Sequence, residues 1–217
     1  EAGKGKDFAP RLQKILQRIC KEHKRVVFNG NNYAQEWVQE AEKRGLPNLR
    51  NAVDSLMRIV DPEALAVFER HGVLSRKELH ARHEILIDAY VKQVHLEAQT
   101  MLHIGRRQIL PAAVEYSGRL ASTVAALKSA EIGAGTQSEM LERLNGICAS
   151  FEENLASLER AMHDAAAVGE LTKRAAAYRD HVLRAMVALR TDSDKLEAVV
   201  DARLWPLPTY AEMLFLR

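Results

Sequence analysis

Apolar positions in this chain recur at helical spacing over most of its length. Phe8, Leu12, Ile15, Leu16 and Ile19 return every three or four residues, so residues 7–23 are expected to form an amphipathic helix. Val26, Val27 and Phe28 then suit a short strand. Asn29-Gly30-Asn31-Asn32 suits a turn, because these residues tolerate left-handed backbone angles. Asn32 and Gln35 have N-cap spacing for a helix over 34–44 that carries Trp37, and Gly45 with Pro47 should end it. Asp61-Pro62 opens a short helix bearing Leu65 and Phe68 that stops near Gly72.

Ser75-Arg-Lys-Glu78 has the form of a capping box. It starts a long helix with a stripe at Leu79, His83, Leu86, Ile87, Tyr90, Val94, Ala98, Met101 and Leu102. Pro111 should kink this helix, which resumes through Tyr116, Leu120, Val124 and Leu127 and stops at Gly133-Ala-Gly135. Thr136-Gln-Ser-Glu139 is a second capping box, ahead of Leu141, Leu144, Cys148, Phe151, Leu155, Leu158 and Met162. After a turn between Ala165 and Gly169, Leu171, Ala175, Tyr178, Val182, Met186 and Leu189 mark a last long helix running toward Val200.

The pattern predicts a mainly α fold. Residues 61–203 form an elongated antiparallel helical bundle, and 1–60 a small N-terminal part of helix, short strand and helix. Residues 204–217 form a Pro/aromatic tail. Prolines at 206 and 208 keep that tail out of a helix until Thr209 can cap a final turn. Trp205, Tyr210, Leu214 and Phe215 should fold it back onto residues 7–70, near Trp37 or Phe68. Gly3-Lys4-Gly5 reads as a mobile end.

Composition changes this picture little. Of 217 residues, 47% are hydrophobic and 28% charged, with a net charge of +2, which are ordinary globular values. Basic and acidic residues are interspersed, which argues against a nucleic-acid surface, and no apolar run spans a bilayer. Cys20 and Cys148 give no disulfide framework and fit a reducing cytoplasm; both sit on apolar stripes and read as small core residues.

Candidate chemistry is sparse. His80-Ala-Arg-His83-Glu84 lacks the order of helical zinc motifs, and His83 reads as a packed, hydrogen-bonded core histidine. His163-Asp164, with His103 and Asp192 as distant partners, is the pattern a helical metal phosphohydrolase would need. Gly30-Asn31-Asn32 reads as a turn, not a phosphate cradle. Glu97 lies between Val94 and Met101 near the buried stripe, so it is expected to form a structural ion pair, with Arg106 and Arg107 farther along the helix.

Several blocks together are more specific: His23-Lys-Arg-Val-Val-Phe-Asn-Gly-Asn-Asn-Tyr33 with Trp37, and Glu40-Ala-Glu-Lys-Arg-Gly-Leu-Pro-Asn48. Glu78-Leu-His-Ala-Arg-His-Glu-Ile-Leu-Ile-Asp-Ala-Tyr90, Glu97-Ala-Gln-Thr100, Ile109-Leu-Pro-Ala112 and Trp205-Pro-Leu-Pro-Thr-Tyr210 follow in order. The chain resembles the region that follows the catalytic core in type III glutamine synthetases, although Ala34 stands where that family usually has Ser. Residues 120–200 share only the helical pattern. The resemblance implies a cytoplasmic parent enzyme that ligates ammonia to glutamate with ATP and Mg or Mn, through γ-glutamyl phosphate. Its catalytic, cofactor and metal residues would lie upstream, and the start at Glu1 reads as the cut end of a fragment. The fragment is expected to be inactive alone. It would buttress the upstream catalytic domain and contact neighbouring subunits of a ring-like homo-oligomer. The alternatives are an independent helical scaffold or partner-binding module, and a helical metal-dependent phosphohydrolase.

Overall fold

The computed structural model describes residues 8–208 and 210–215, and the chain divides into two compact units, Glu1–Asp54 and Ser55–Arg217. Gly3-Lys4-Gly5 and Thr209 lie outside the described residues.

In the first unit, α1 (Phe8–Glu22) forms where its apolar stripe places it, and none of its residues is buried. A short strand over 26–28 does not form. Lys24–Val26 make a 3-10 turn, Val27 is extended, and no strand occurs among the described residues. A strand needs a neighbouring ladder to take its backbone groups. Here the Arg44 guanidinium takes them instead, donating to the carbonyls of Val27 (2.8 Å) and Arg25 (3.2 Å). Arg44 also donates to Glu40 at 2.7 Å and lies 5.7 Å from the centre of the Trp37 ring. Phe28 stacks on that ring at 4.7 Å, and a Cβ at Gly30 would stand 2.7 Å from the Phe28 ring.

Helix α2 (Gln35–Lys43) is not capped by Asn32. Its N-cap is Ala34, which has no side-chain acceptor to offer. The Asn31 side chain closes the preceding turn, accepting from the Tyr33 N–H at 3.0 Å. Gly45 ends α2 as anticipated, at φ +70°, with the Leu46 N–H reaching back to the Ala41 carbonyl at 2.9 Å. Helix α3 (Ala52–Met57) crosses the boundary between the units.

The second unit opens with a 3-10 turn over Arg58–Val60 and α4 (Pro62–Arg70). Pro62 begins α4, Asp61 pairs with Arg58 at 3.0 Å without capping it, and Gly72 stops it at φ +63°. Helix α5 (Arg76–Ile104) starts on the expected box: Ser75 Oγ accepts from the Glu78 N–H (3.3 Å) and Glu78 from the Ser75 N–H (2.8 Å). Its buried line is Leu79, His83, Ile87, Val91, Val94 and Ala98. Val91 replaces Leu86, which is exposed, because a 3.6-residue period carries the line from 87 to 91 and leaves 86 on the flank.

Pro111 has no N–H for the carbonyl one turn back, and the helix answers ahead of it with a π turn over Gly105–Ile109. The Leu110 N–H donates to the Gly105 carbonyl, five residues back, before α6 (Leu110–Ser129) continues. Gly105 also admits α7: a Cβ there would lie 2.8 Å from Leu155 Cδ2 and 3.3 Å from Phe151 Cζ. The stop after α6 is not made by Gly133 or Gly135. Glu131 supplies the left-handed residue at φ +57°, and the Ile132 N–H bonds the Leu127 carbonyl at 2.9 Å. Helix α7 (Gly135–Ala166) has Ala134 as its N-cap and no side-chain cap, so the box at Thr136–Glu139 does not form. The helix starts two residues too early for Thr136 to occupy the cap.

Helix α7 packs against α6 and, through α8 (Leu171–Ala177), a second π turn (Tyr178–Val182) and α9 (Leu183–Glu197), against the returning strut. Helix α5 packs on α8. Leu144, Phe151, Leu158, Tyr178, Val182, Leu189 and Leu196 make the buried centre, each worth about 1.5–3 kcal/mol when fully withdrawn from water. In the tail, Leu204 and Trp205 are half-buried, and Leu207 lines a cleft with Met101, Ile104 and Met186. Leu214 and Phe215, expected in an aromatic clamp, stand 75% and 73% exposed at the end of α10 (Tyr210–Leu214). The Tyr210 side chain lies outside the described residues.

Candidate functional site

Two features stand out: a buried carboxylate between α7 and α9, and the bare face of α1. Asp192 is 2% exposed. Its Oδ2 accepts from the Ser150 hydroxyl and from Asn154 Nδ2 (2.7 Å), and its Oδ1 from Lys195 Nζ (2.6 Å). Burial pushes this carboxyl up, but the bonds from Lys195, Ser150 and Asn154 outweigh it and hold the group below the usual aspartate range. A carboxylate so engaged ties two helices together, with three of its roughly four lone-pair positions taken by its own neighbours.

The other candidates scatter. His103, His163 and Asp164 are exposed and Asp192 is committed to its own donors, so the phosphohydrolase pattern does not assemble. No three His, Cys, Asp or Glu side chains converge on a possible metal position among the described residues. His80 and Glu84 are exposed, while His83 is buried at 7% with its Nε2 lacking the hydrogen bond expected of it. Cys20 is exposed, contrary to a core role, because no residue of α1 is buried. Cys148 is half-buried, and burial pushes its thiol up, which makes it a poor nucleophile. Glu97 is exposed and accepts from Gln93 (2.6 Å). Arg106 instead grips Glu159 of α7 through two bonds of 2.9 and 2.6 Å.

The sequence offers Asp192 only as a distant partner of His163-Asp164 and does not show its buried tie, although it falls on the line from Leu189 to Leu196 that α9 buries. Tyr178 is buried as its stripe predicts, but the stripe does not show that its hydroxyl meets His95 Nδ1 at 2.8 Å and joins the second π turn to α5.

On α1, Leu12, Leu16 and Ile19 share one face and are 37%, 51% and 44% exposed. Arg11, Lys14, Arg18 and Lys21 flank them. A helix with so strong a division of apolar and charged sides is built to be covered. Among the described residues no helix is long and apolar enough to cross a membrane.

The described residues therefore define a mainly helical chain with an apolar core, a buried carboxylate tie between α7 and α9, and an exposed apolar face on α1. A family model for the glutamine synthetase C-terminal domain matches residues 11–128, and the chain belongs to that family. It is 34% identical over 213 residues to a glutamine synthetase of Butyrivibrio fibrisolvens, covering 97% of this chain and 30% of that one. It is 30% identical over 215 residues to a type-3 glutamine synthetase of Dictyostelium discoideum, covering 95% and 29%. A glutamine synthetase of Bacteroides fragilis is 28% identical over 221 residues, covering 99% and 30%. The chain thus spans about 30% of the length of these relatives.

Proposed function

We propose that this chain is the C-terminal structural and subunit-contact portion of a cytoplasmic glutamine synthetase-like enzyme. The parent joins ammonia to glutamate at the expense of ATP, with Mg or Mn, and the chain alone is inactive. The observation that carries the reading is the match along almost all of this chain to under a third of each relative. In support, no three His, Cys, Asp or Glu side chains converge on a possible metal position among the described residues, and the buried carboxylate is engaged by its own neighbours. On this reading ATP and the metal bind in the part of the parent that lies outside this chain.

The role of the present residues is to buttress. Helix α1 offers Leu12, Leu16 and Ile19 to the preceding catalytic portion of the same polypeptide, while the bundle contacts neighbouring subunits. The purified chain should show no γ-glutamyl transferase activity, and measurable activity would sink the reading. In the full-length parent, Leu12→Asp with Leu16→Asp should lower activity and assembly together. A parent that keeps both would show that α1 serves another partner, as an independent binding module would.

A further inference from the structure

Where α5 passes into the first π turn, it faces α9 across an apolar cleft of about 560 Å³. That volume lies within the range of roughly 300–1,000 Å³ usual for small-molecule sites. Met101 and Ile109 line one side, Met186 and Leu189 the other, and the buried Phe151 of α7 belongs to the same wall. Leu207 contributes from the tail, between Pro206 and Pro208. Ser193 interrupts this apolar lining. It is 9% exposed, and its hydroxyl makes no hydrogen bond among the described residues. Thr191, two residues earlier on α9, turns its own hydroxyl back to the Val187 carbonyl at 2.9 Å, the usual refuge of a hydroxyl in a helix. Ser193 does not take the equivalent bond to Leu189. A buried hydroxyl without a partner costs free energy, which a guest that bonds it recovers. At the edge of the cleft Arg190 pairs with Asp194 at 2.5 Å, so that edge adds no net charge.

We infer that this cleft binds an uncharged small molecule with a mainly apolar body and a single hydrogen-bonding head. The body lies among Met101, Ile109 and Met186, and the head meets Ser193. Both methionines are unbranched and polarisable, so the walls adapt to guests of different outline. The head is an alcohol, carbonyl or amide. A carboxylate is disfavoured, because Arg190 is already matched by Asp194 and the residue beside Ser193 is the buried carboxylate of Asp192. The inference goes beyond the proposed parent activity and does not depend on it.

The test titrates the whole 217-residue chain, its methionine methyl groups labelled with carbon-13, with 1-octanol, octanoate and toluene at pH 8. In NMR spectra 1-octanol should shift the Met101 and Met186 signals saturably, with a Kd of about 0.1–1 mM. The exposed Met57 and Met213 should not respond. Octanoate should bind about tenfold or more weakly. Ser193→Ala should weaken 1-octanol about three- to tenfold and leave toluene, which has no head, unchanged. That split separates a hydrogen bond from a general disturbance of α9, and circular dichroism melts check that the variant folds. The inference is overturned if 1-octanol gives no saturable shift up to its solubility limit, or shifts Met57 and Met213 equally. It is also overturned by octanoate binding as tightly as 1-octanol, or by Ser193→Ala changing neither ligand or both alike. In the full-length parent 1-octanol should still reach Met101 and Met186. A parent that excludes it has the cleft filled by its own chain or a neighbouring subunit, which overturns the inference as well.

Discussion

Replacing Asp192 by Ala removes a buried acceptor that serves three donors at once. Hydrogen bonds to an ionised group are worth about 1.5–3 kcal/mol each, but desolvating the carboxylate cancels a large part of their sum. Lys195 contributes least, since its side chain is 54% exposed and water can replace its partner. What the truncation leaves is Ser150 and Asn154 without their acceptor in part-buried positions, plus a small cavity against Leu189 and Leu196. A loss of about 3 kcal/mol follows, or about 6–12 °C in melting temperature for a domain of this size. Asp192→Asn keeps the shape and an acceptor oxygen but presents an amide to at least one donor, and should fall between wild type and Ala. The sign of the pH effect is fixed by the lowered folded value. Asp192 stabilises fully above the ordinary aspartate value near 3.9, and its contribution disappears as pH falls through the lower folded value. The gap between wild type and Ala should therefore narrow in thermal melts taken at steps from pH 7 down to pH 2. A loss under 1 kcal/mol at pH 7, or a gap between wild type and Ala that is unchanged at pH 2, would falsify the assignment of this carboxylate as the tie between α7 and α9.

Glu131→Gly relieves a left-handed backbone at φ +57° and should raise stability by about 1 kcal/mol in a chemical denaturation curve; a fall would show that its side chain carries a contact of greater worth. Ala34→Ser gives α2 a hydroxyl for its free N–H groups and should add about 1 kcal/mol, read by hydrogen exchange in that first turn; unchanged protection counts against a vacant cap. Asp201, held by the Arg203 side chain and by the Arg203 backbone N–H, should titrate at about 2 in a carboxyl NMR experiment. Arg203→Ala should move it upward, and no movement would contradict that pairing. Gly105→Ala places a methyl 2.8 Å from Leu155 Cδ2 and should cost about 1–2 kcal/mol despite the better helix propensity, whereas a gain would mean α7 yields there easily.

Much of this architecture was legible because its determinants are local. The Ser75–Glu78 box and the positive φ of Gly45 and Gly72 depend on a few neighbouring residues, and each sits where the sequence puts it. The errors arise where a distant or competing group decides. Val26, Val27 and Phe28 have strand character, yet Arg44, seventeen residues on from Val27, takes the carbonyl that a ladder would need. Gly133 was the natural stop by residue type, but α6 ended sooner, and the left-handed position fell on Glu131. Composition gives no warning of such a strained choice.

The two π turns show the same division from the other side. The first could be anticipated as a disturbance, because Pro111 must deprive one carbonyl of its partner, though nothing local says whether the helix bends or slips by a residue. The second, at Tyr178–Val182, has no proline to announce it. It places Tyr178 in the core with its hydroxyl on His95. An extra residue in one turn rotates everything after it by roughly 100° around the helix. A periodic reading of the sequence treats the strut as one unbroken helix and so cannot recover that slip.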